Sequence, residues 1–367
     1  MNDTLQYSSN LRGKIISSIS DINLDSLQEV INTNFGDDSA KITDFQISEN
    51  QSSNGYTAII ELNYKTQLLN TYPKSLFLKF CRQDKRFIKD SEYFYYKRDY
   101  LGLKDAPLPK CYDASFSKTE DSYHVLLENL SQTHYSNKEI RPTRHHAMSV
   151  AEELAKLHAY RWGNKVSELH TDTNTSEQIE CFIEHTSTGL LPILTTVKSD
   201  LPQDWIKNIE KVFDVHPQMM QKKANNLAGM TLIHGDTNPS NILSPNEPNG
   251  KTYIIDRQPF KWSLTYWLGV YDLAYMIIPY WSVIDRRALE EVMLKHYHQS
   301  LLKFGVNDYS WEECREDYRL CIVHGIYTAI EWGTNEKNIV EMRWLWQAQL
   351  KRSMEAFTDW RCNEFLK

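Results

Sequence analysis

A two-lobed α+β fold, with an antiparallel sheet in the first third and a larger, mainly helical remainder, is predicted by three observations on this 367-residue chain. Strand-like runs crowd the first 130 residues, helical spacing of apolar residues dominates after residue 142, and one stretch of strands and turns at 230–256 interrupts the helices. The change of period between 130 and 142 divides the chain into 1–130 and 131–367, and the length suits two domains at roughly 150 residues each.

Taken in order, YTAIIELNY (56–64) and KSLFLKFC (74–81) mix β-branched and aromatic residues with rough alternation and read as paired strands. The run DSEYFYYKRDYL (90–101) changes to helical spacing, and Pro107 and Pro109 stop it. KCYDASF and YHVLLENL are two further strands, and the polar stretch SQTHYSNKEIRPT leads into a helix over HHAMSVAEELAKLHAYRW. Helical spacing returns near 176–186, 203–226, 268–280, 286–304, 311–331 and 337–357. Residues 230–256 read as strand, irregular loop, short strand, Asn/Pro/Gly turn and strand, with polar residues bunched at the strand ends.

Composition narrows the class. With 41% hydrophobic and 24% charged residues the chain is neither disordered nor fibrous. Its net charge of −7, with both signs interspersed, removes the usual driver for binding nucleic acid or anionic membranes. The six cysteines form no C-x-x-C pair and read as free thiols in a reducing compartment. The N-terminus lacks a signal-peptide core, and LGVYDLAYMIIPYW is interrupted by Asp272 and Pro279, so the expected location is the cytoplasm.

The chemistry concentrates in HGDTNPSN. Asp236 stands five residues before Asn241, and a third polar anchor, Asp256, ends the apolar strand YIID. Phosphoryl transfer asks for such a set: one carboxylate to orient the attacking hydroxyl and accept its proton, and oxygen ligands to hold Mg²⁺ against nucleotide phosphates. Asp236 is the candidate base, and Asn241 and Asp256 are the candidate metal ligands. Alone, an Asp, Asn and His in a turn would be read as local backbone capping. Two carboxylates also fit a glycosidase, but Asn241 at this spacing argues against it.

On these residues the chain resembles the aminoglycoside phosphotransferase and choline/ecdysteroid kinase-like small-molecule kinases of the protein-kinase-like superfamily. They carry a Gly inside the catalytic loop, as Gly235 stands between His234 and Asp236, and an Asp in a D-L-A segment, here Asp272. The resemblance implies a kinase-like bilobal fold with a five-stranded N-terminal sheet that binds nucleotide and a helical lobe that carries the catalytic loop and the acceptor site. It implies ATP and Mg²⁺ as cofactors and transfer of the γ-phosphate to a hydroxyl of a small metabolite, amino alcohol, sugar or antibiotic. Lys79, a charge between apolar neighbours in SLFLKF, would meet phosphate, with Glu92 of the following helix as its ion partner. Glu128, Asn129 and Leu130 in VLLENL would form the interlobe hinge against adenine, and Ser53, Asn54 and Gly55 in SENQSSNGYT would cover the phosphates. His234 holds the loop by hydrogen bonding, because Asp236 already supplies the base.

The loop at 48–57 is not G-x-G-x-x-G, and Arg257 follows the metal Asp where related enzymes carry an aromatic residue. Two alternatives stand beside a small-molecule kinase. A protein kinase would show an A-P-E segment after Asp256, whereas RQPFKWSLTYWLG leads almost directly into helix. A non-catalytic nucleotide-binding regulatory protein would not need Asp236, Asn241, Asp256 and Lys79 together. Eight of ten tryptophans follow Asp256; helix packing accounts for most of them, and some, such as Trp332 beside Glu331, could form an aromatic and acidic wall for an acceptor. His296 and His298, two apart on a helix, face different ways and are no metal pair.

Overall fold

The computed structural model describes residues 14–36, 40–52, 55–65, 71–82, 92–117, 119, 122–138, 140–163, 175–248, 250–257 and 259–366. The chain divides into two compact units, one of residues 1–102 and 108–134, the other of 103–107 and 135–367.

In the first unit, helix α1 (Leu24–Phe35) precedes strands β1 (Ile42–Ser52), β2 (Gly55–Tyr64), β3 (Ser75–Arg82), β4 (Cys111–Ser117) and β5 (Ser122–Glu128). The five strands pair antiparallel in the order β1-β2-β3-β5-β4, so β3 is central. One sheet face carries Ile60, Leu76 and Leu78, each wholly buried, and α1 packs Leu27, Val30 and Ile31 into the same core. The sequence reading misses α1, whose apolar stripe is short. Its start is set by reciprocal bonds: the Asn23 side chain accepts from the Ser26 N–H, and the Ser26 hydroxyl accepts from the Asn23 N–H.

The helix expected at 90–101 is shorter and wider. Its described part opens as α2 (Glu92–Phe94) and continues as a π turn, Tyr95–Asp99. The wider turn seats bulky rings, with Tyr95 edge-on to Tyr100 at 4.9 Å between centroids. Gly55, expected in a loop, instead begins β2 and pairs with Ser52, while Ser53 and Asn54 lie outside the described residues.

Strand β6 (His134–Ser136) starts on the last residue of the first unit, and the second unit continues with α3 (Arg144–Tyr160), α4 (Thr175–Ser187), α5 (Leu190–Val197), α6 (Gln203–Ala224), β7 (Met230–Leu232), β8 (Ile242–Pro245), β9 (Tyr253–Ile254) and β10 (Tyr266–Leu268). Helices α7 (Val270–Ile277), α8 (Val283–Lys303), α9 (Trp311–Ile322), α10 (His324–Glu331), α11 (Glu336–Glu341) and α12 (Arg343–Asp359) complete it. The spans read as single helices at 311–331 and 337–357 are each interrupted, at Val323 and Met342, and α5 went unread. Residues 103–107 belong here because Asp105 is held by Lys251 at 2.6 Å and Lys156 at 3.2 Å, and the Pro107 carbonyl accepts from the Ile254 N–H.

What matters for the site is the crossing of β7 and α7. Strand β7 pairs with β10, whose chain turns directly into α7, so the segment after β7 emerges beside the first turn of that helix. The β8–β9 pair then returns the chain, and the Ile255 N–H donates to the Asn241 carbonyl at 3.0 Å. Among the described residues no helix is long and apolar enough to cross a membrane. Cys111, Cys181, Cys314, Cys321 and Cys362 are free.

Candidate active site

Asp272, wholly buried in the first turn of α7, organises the loop that follows β7. Its Oδ2 accepts from the His234 N–H at 2.7 Å and its Oδ1 from the Gly235 N–H at 2.9 Å. The Thr237 hydroxyl donates to the Asp272 carbonyl at 2.6 Å. Gly235 adopts φ +83°, and a Cβ there would lie 3.2 Å from the Leu264 carbonyl oxygen, so glycine suits this turn on two counts.

Behind Asp272 lies His158, at the end of α3. Its Nε2 donates to Asp272 Oδ2 at 3.0 Å, and its Nδ1 accepts from the Tyr297 hydroxyl at 2.9 Å. Burial alone would push the Asp272 carboxyl up, but the bond from His158 and the Gly235 amide outweigh it and hold the group below its usual range. This relay packs tightly: a Cβ on Gly269 would come within 2.4 Å of the Tyr297 hydroxyl oxygen.

Asp236 is held at both oxygens. Asn238 Nδ2 donates to Oδ1 at 2.8 Å, and Asn241 Nδ2 donates to Oδ2 at 3.1 Å and to the Asp236 carbonyl at 2.8 Å. Burial pushes this carboxyl up to about 7; the nearby Asp256 charge adds to the rise, and bonds from Asn238, Tyr275 and Asn241 oppose it. The residue as a whole is half-buried. Asn241 Oδ1 makes no hydrogen bond among the described residues, which leaves an oxygen for a hard cation. Asp256 takes φ +65°, a left-handed conformation rare outside glycine that occurs where local structure over-determines it.

His234 donates from Nε2 to the Ile255 carbonyl at 3.0 Å and accepts the Asp236 N–H at Nδ1, 3.2 Å away. Burial pushes its pKa down to about 4, so at neutral pH it is an uncharged brace. Arg257, wholly buried, donates from Nε to the Ile233 carbonyl at 3.1 Å and ties the segment after β9 to the residue before the loop.

In the first unit, Lys79 Nζ and Glu92 Oε2 form a buried ion pair at 2.8 Å. Lys79 sits on central β3, opposite Thr57 and Val125, so it cannot be an edge-strand lysine reaching for solvent. Of the hinge candidates, the Glu128 N–H is spent on the Lys110 carbonyl, and the Leu130 carbonyl accepts from the Thr133 and His134 N–H groups. Asn129 donates to the Ser75 hydroxyl and accepts from the Ser131 N–H.

An aromatic and acidic wall exists, but its ring is Trp262. The Trp262 indole N–H donates to Glu331 Oε1 at 2.6 Å, whereas Trp332 is drawn to Gln349. His185 stacks on Trp262 with centroids 3.8 Å apart, and Phe260 stacks on it at 4.9 Å. The charges of Asp236 and Glu331 both add to the burial that raises the Tyr275 and Tyr280 hydroxyls, so both carboxylates act on these phenols.

The sequence reading missed His158, Tyr275, Asn238 and the Trp262–Glu331 pair. Tyr275 was within reach, since it lies three residues after Asp272 on one helix face.

The raised Asp236 carboxyl has a testable sign. Its ordinary value is 3.8 and its native value about 7, so the folded protein binds this proton more tightly than the unfolded chain. The stability it contributes is complete below the unfolded value and is lost as pH rises through the native one. In metal- and nucleotide-free protein, Asp236→Asn is expected to gain stability over wild type by about 4 kcal/mol at pH 8 and under about 1 kcal/mol at pH 4. Denaturant titrations at the two pH values check it; an equal difference at both would refute the assignment.

Comparison with curated proteins yields no match. Among solved structures, a choline kinase from Cryptosporidium parvum aligns at 12% identity and a TM-score of 0.55, covering 88% of this chain and 91% of that one. An ethanolamine kinase from Plasmodium vivax aligns at 14% identity and a TM-score of 0.53, covering 84% and 81%. A choline kinase from Streptococcus pneumoniae aligns at 16% identity and a TM-score of 0.50, covering 91% and 98%. At these identities the likeness establishes the fold, a kinase-like bilobal one. Residues 85–305, more than half of the chain, match the ecdysteroid kinase-like family, to which this protein therefore belongs, as a phosphotransferase that takes an alcohol group of a small molecule as acceptor.

Proposed function

We propose that the protein transfers the γ-phosphate of ATP to a hydroxyl of a small, amine-bearing acceptor, with Mg²⁺ as cofactor. The observation that carries this reading is Asp236, fixed at both oxygens by amide donors on a loop clamped by Asp272. In phosphoryl transfer most of the rate comes from positioning and charge neutralisation, and such a carboxylate aligns the hydroxyl and accepts its proton as the bond to phosphorus forms. A native value near 7 suits that proton transfer.

Asn241, through Oδ1, and Asp256 would hold Mg²⁺, which when bound neutralises charge on the nucleotide phosphates. Lys79, oriented by Glu92, would grip the α- and β-phosphates. Free backbone groups of Glu128, Asn129 and Leu130 would meet adenine, and Ser53, Asn54 and Gly55 would cover the phosphates. His234 and His158 position without exchanging protons with substrate. Glu331, steadied by Trp262 and stacked rings, offers a carboxylate beside aromatic faces, the chemistry that retains an ammonium or protonated amine.

Two measurements test this. Mg·ATP is incubated with a panel of amino alcohols, hydroxylated metabolites, nucleosides and aminoglycosides, and products are weighed for one added phosphate. A phosphorylated acceptor is expected, and Asp236→Ala is expected to keep nucleotide binding while losing at least about 10²-fold in turnover; wild-type turnover in that variant would remove Asp236 from the mechanism. For the acceptor found, Glu331→Gln is expected to raise KM about tenfold with kcat nearly unchanged. An unchanged KM would exclude Glu331 from acceptor binding.

A further inference from the structure

Behind the catalytic loop, within the second unit, lies a cavity of about 240 Å³ that no step above uses. Its apolar wall is Met276, Tyr280 and Trp281 from α7 and the turn after it, closed by Pro239 of the loop itself. Pockets for drug-sized molecules run to about 300–1,000 Å³, so this one takes a smaller body, and its aromatic wall favours a flat one.

The polar side is rich in donors. Trp281, only 5% exposed, lines this side as well, and its indole can donate a hydrogen bond. Lys138 forms no ion pair among the described residues. Arg141 gives Nε to Asp285 at 2.7 Å, and its terminal nitrogens have no partner among the described residues. Both Asp285 oxygens are engaged, one by Arg141 and the other by the Ser282 hydroxyl. His146, held through Nδ1 by the Ser244 hydroxyl, is kept uncharged by burial, which pushes it down to about 4. Of the charged side chains that line the cavity, Arg141 and Asp285 cancel and Lys138 is left, so positive charge lies at the Lys138 end, whereas the Asp236 and Glu331 charges act at the Tyr280 end.

We propose that this cavity binds a small organic anion, a flat apolar body carrying one carboxylate or phosphate, with the ring against Tyr280 and Trp281 and the anion toward Lys138 and Arg141. The occupant also touches the machinery. Pro239 lies between Asn238 and Asn241, which hold Asp236, and the Tyr280 ring packs on the Tyr275 ring with centroids 6.0 Å apart, both phenols lying within the reach of the Asp236 charge. The site is therefore an effector site for the reaction proposed above, and this second part rests on that reading.

Binding is measured on the full chain without nucleotide, by saturation-transfer NMR and titration with benzoate and phenyl phosphate, and with benzyl alcohol as the uncharged control. The anions are expected to bind and the alcohol not. Lys138→Glu is expected to weaken the anions roughly fivefold or more, the scale of exchanging an attractive exposed charge for a repulsive one. Ile140→Trp, at a half-exposed lining position, is expected to fill the cavity and abolish binding. Equal binding of anion and alcohol, or anion binding indifferent to both variants, would overturn the site. With the site established, saturating benzoate is expected to change turnover in wild type and leave Ile140→Trp unchanged. Unaltered wild-type turnover would overturn the coupling, whereas absence of turnover under all conditions would count against the kinase reading and leave the binding result standing.

Discussion

The second unit is arranged around one buried carboxylate. Asp272 accepts two consecutive backbone amides, those of His234 and Gly235, and this fixes the path of the chain as it leaves β7. A buried charge of this kind is tolerable only when it is fully hydrogen-bonded. The rest of the neighbourhood meets that condition: His158 supplies a third donor, Tyr297 fixes the imidazole from its far side, and Gly269 leaves room for the tyrosine. The loop conformation then dictates the chemistry. With two amides pinned and Gly235 in the left-handed region, the direction of the chain into Asp236 is set, while the same turn brings Asn238 and Asn241 back to grip it.

Buried polar groups recur with a division of labour. Asp272 is held charged by its donors, whereas Asp236, next in the chain to the clamped Gly235, is pushed toward neutrality by burial and by Asp256. Two neighbouring carboxylates, one on α7 and one on the loop, thus take opposite charge preferences from their surroundings. His234 and Arg257 are both spent on backbone carbonyls, of Ile255 and Ile233, and so join the ends of the two segments that carry the loop and Asp256. In the first unit the same economy appears on a smaller scale: central β3 puts an ammonium inside a hydrophobic sheet, and Glu92 neutralises it there.

Much of this was legible in the sequence, for reasons that differ by element. The strands alternate or run apolar over enough residues to be read, and Asp236, Asn241, Asp256 and Asp272 stand at spacings that the chemistry and the family resemblance require. Lys79 and Glu92 were readable because a lysine among apolar residues demands a partner. What was not legible depends on long-range or three-dimensional facts. The span at 92–99 has helical spacing, yet its tyrosines pack by opening a π turn. His158 finds Asp272 across 114 residues of chain, and Trp262 finds Glu331 across 69, a pairing that adjacency in sequence does not show. Helices α9 and α10 share one periodic run because apolar spacing carries through the bend at Val323.

If the Asp272 clamp is the constraint on which the site depends, the most direct test is Asp272→Asn, followed by amide hydrogen exchange and turnover together. This variant keeps the shape of the side chain but loses the charge and replaces one acceptor oxygen with a donor. The account predicts faster exchange at His234 and Gly235, turnover reduced by about 10²-fold or more, and nearly unchanged exchange protection in the five-stranded sheet of the first unit. Wild-type exchange at those two amides with wild-type turnover would contradict it.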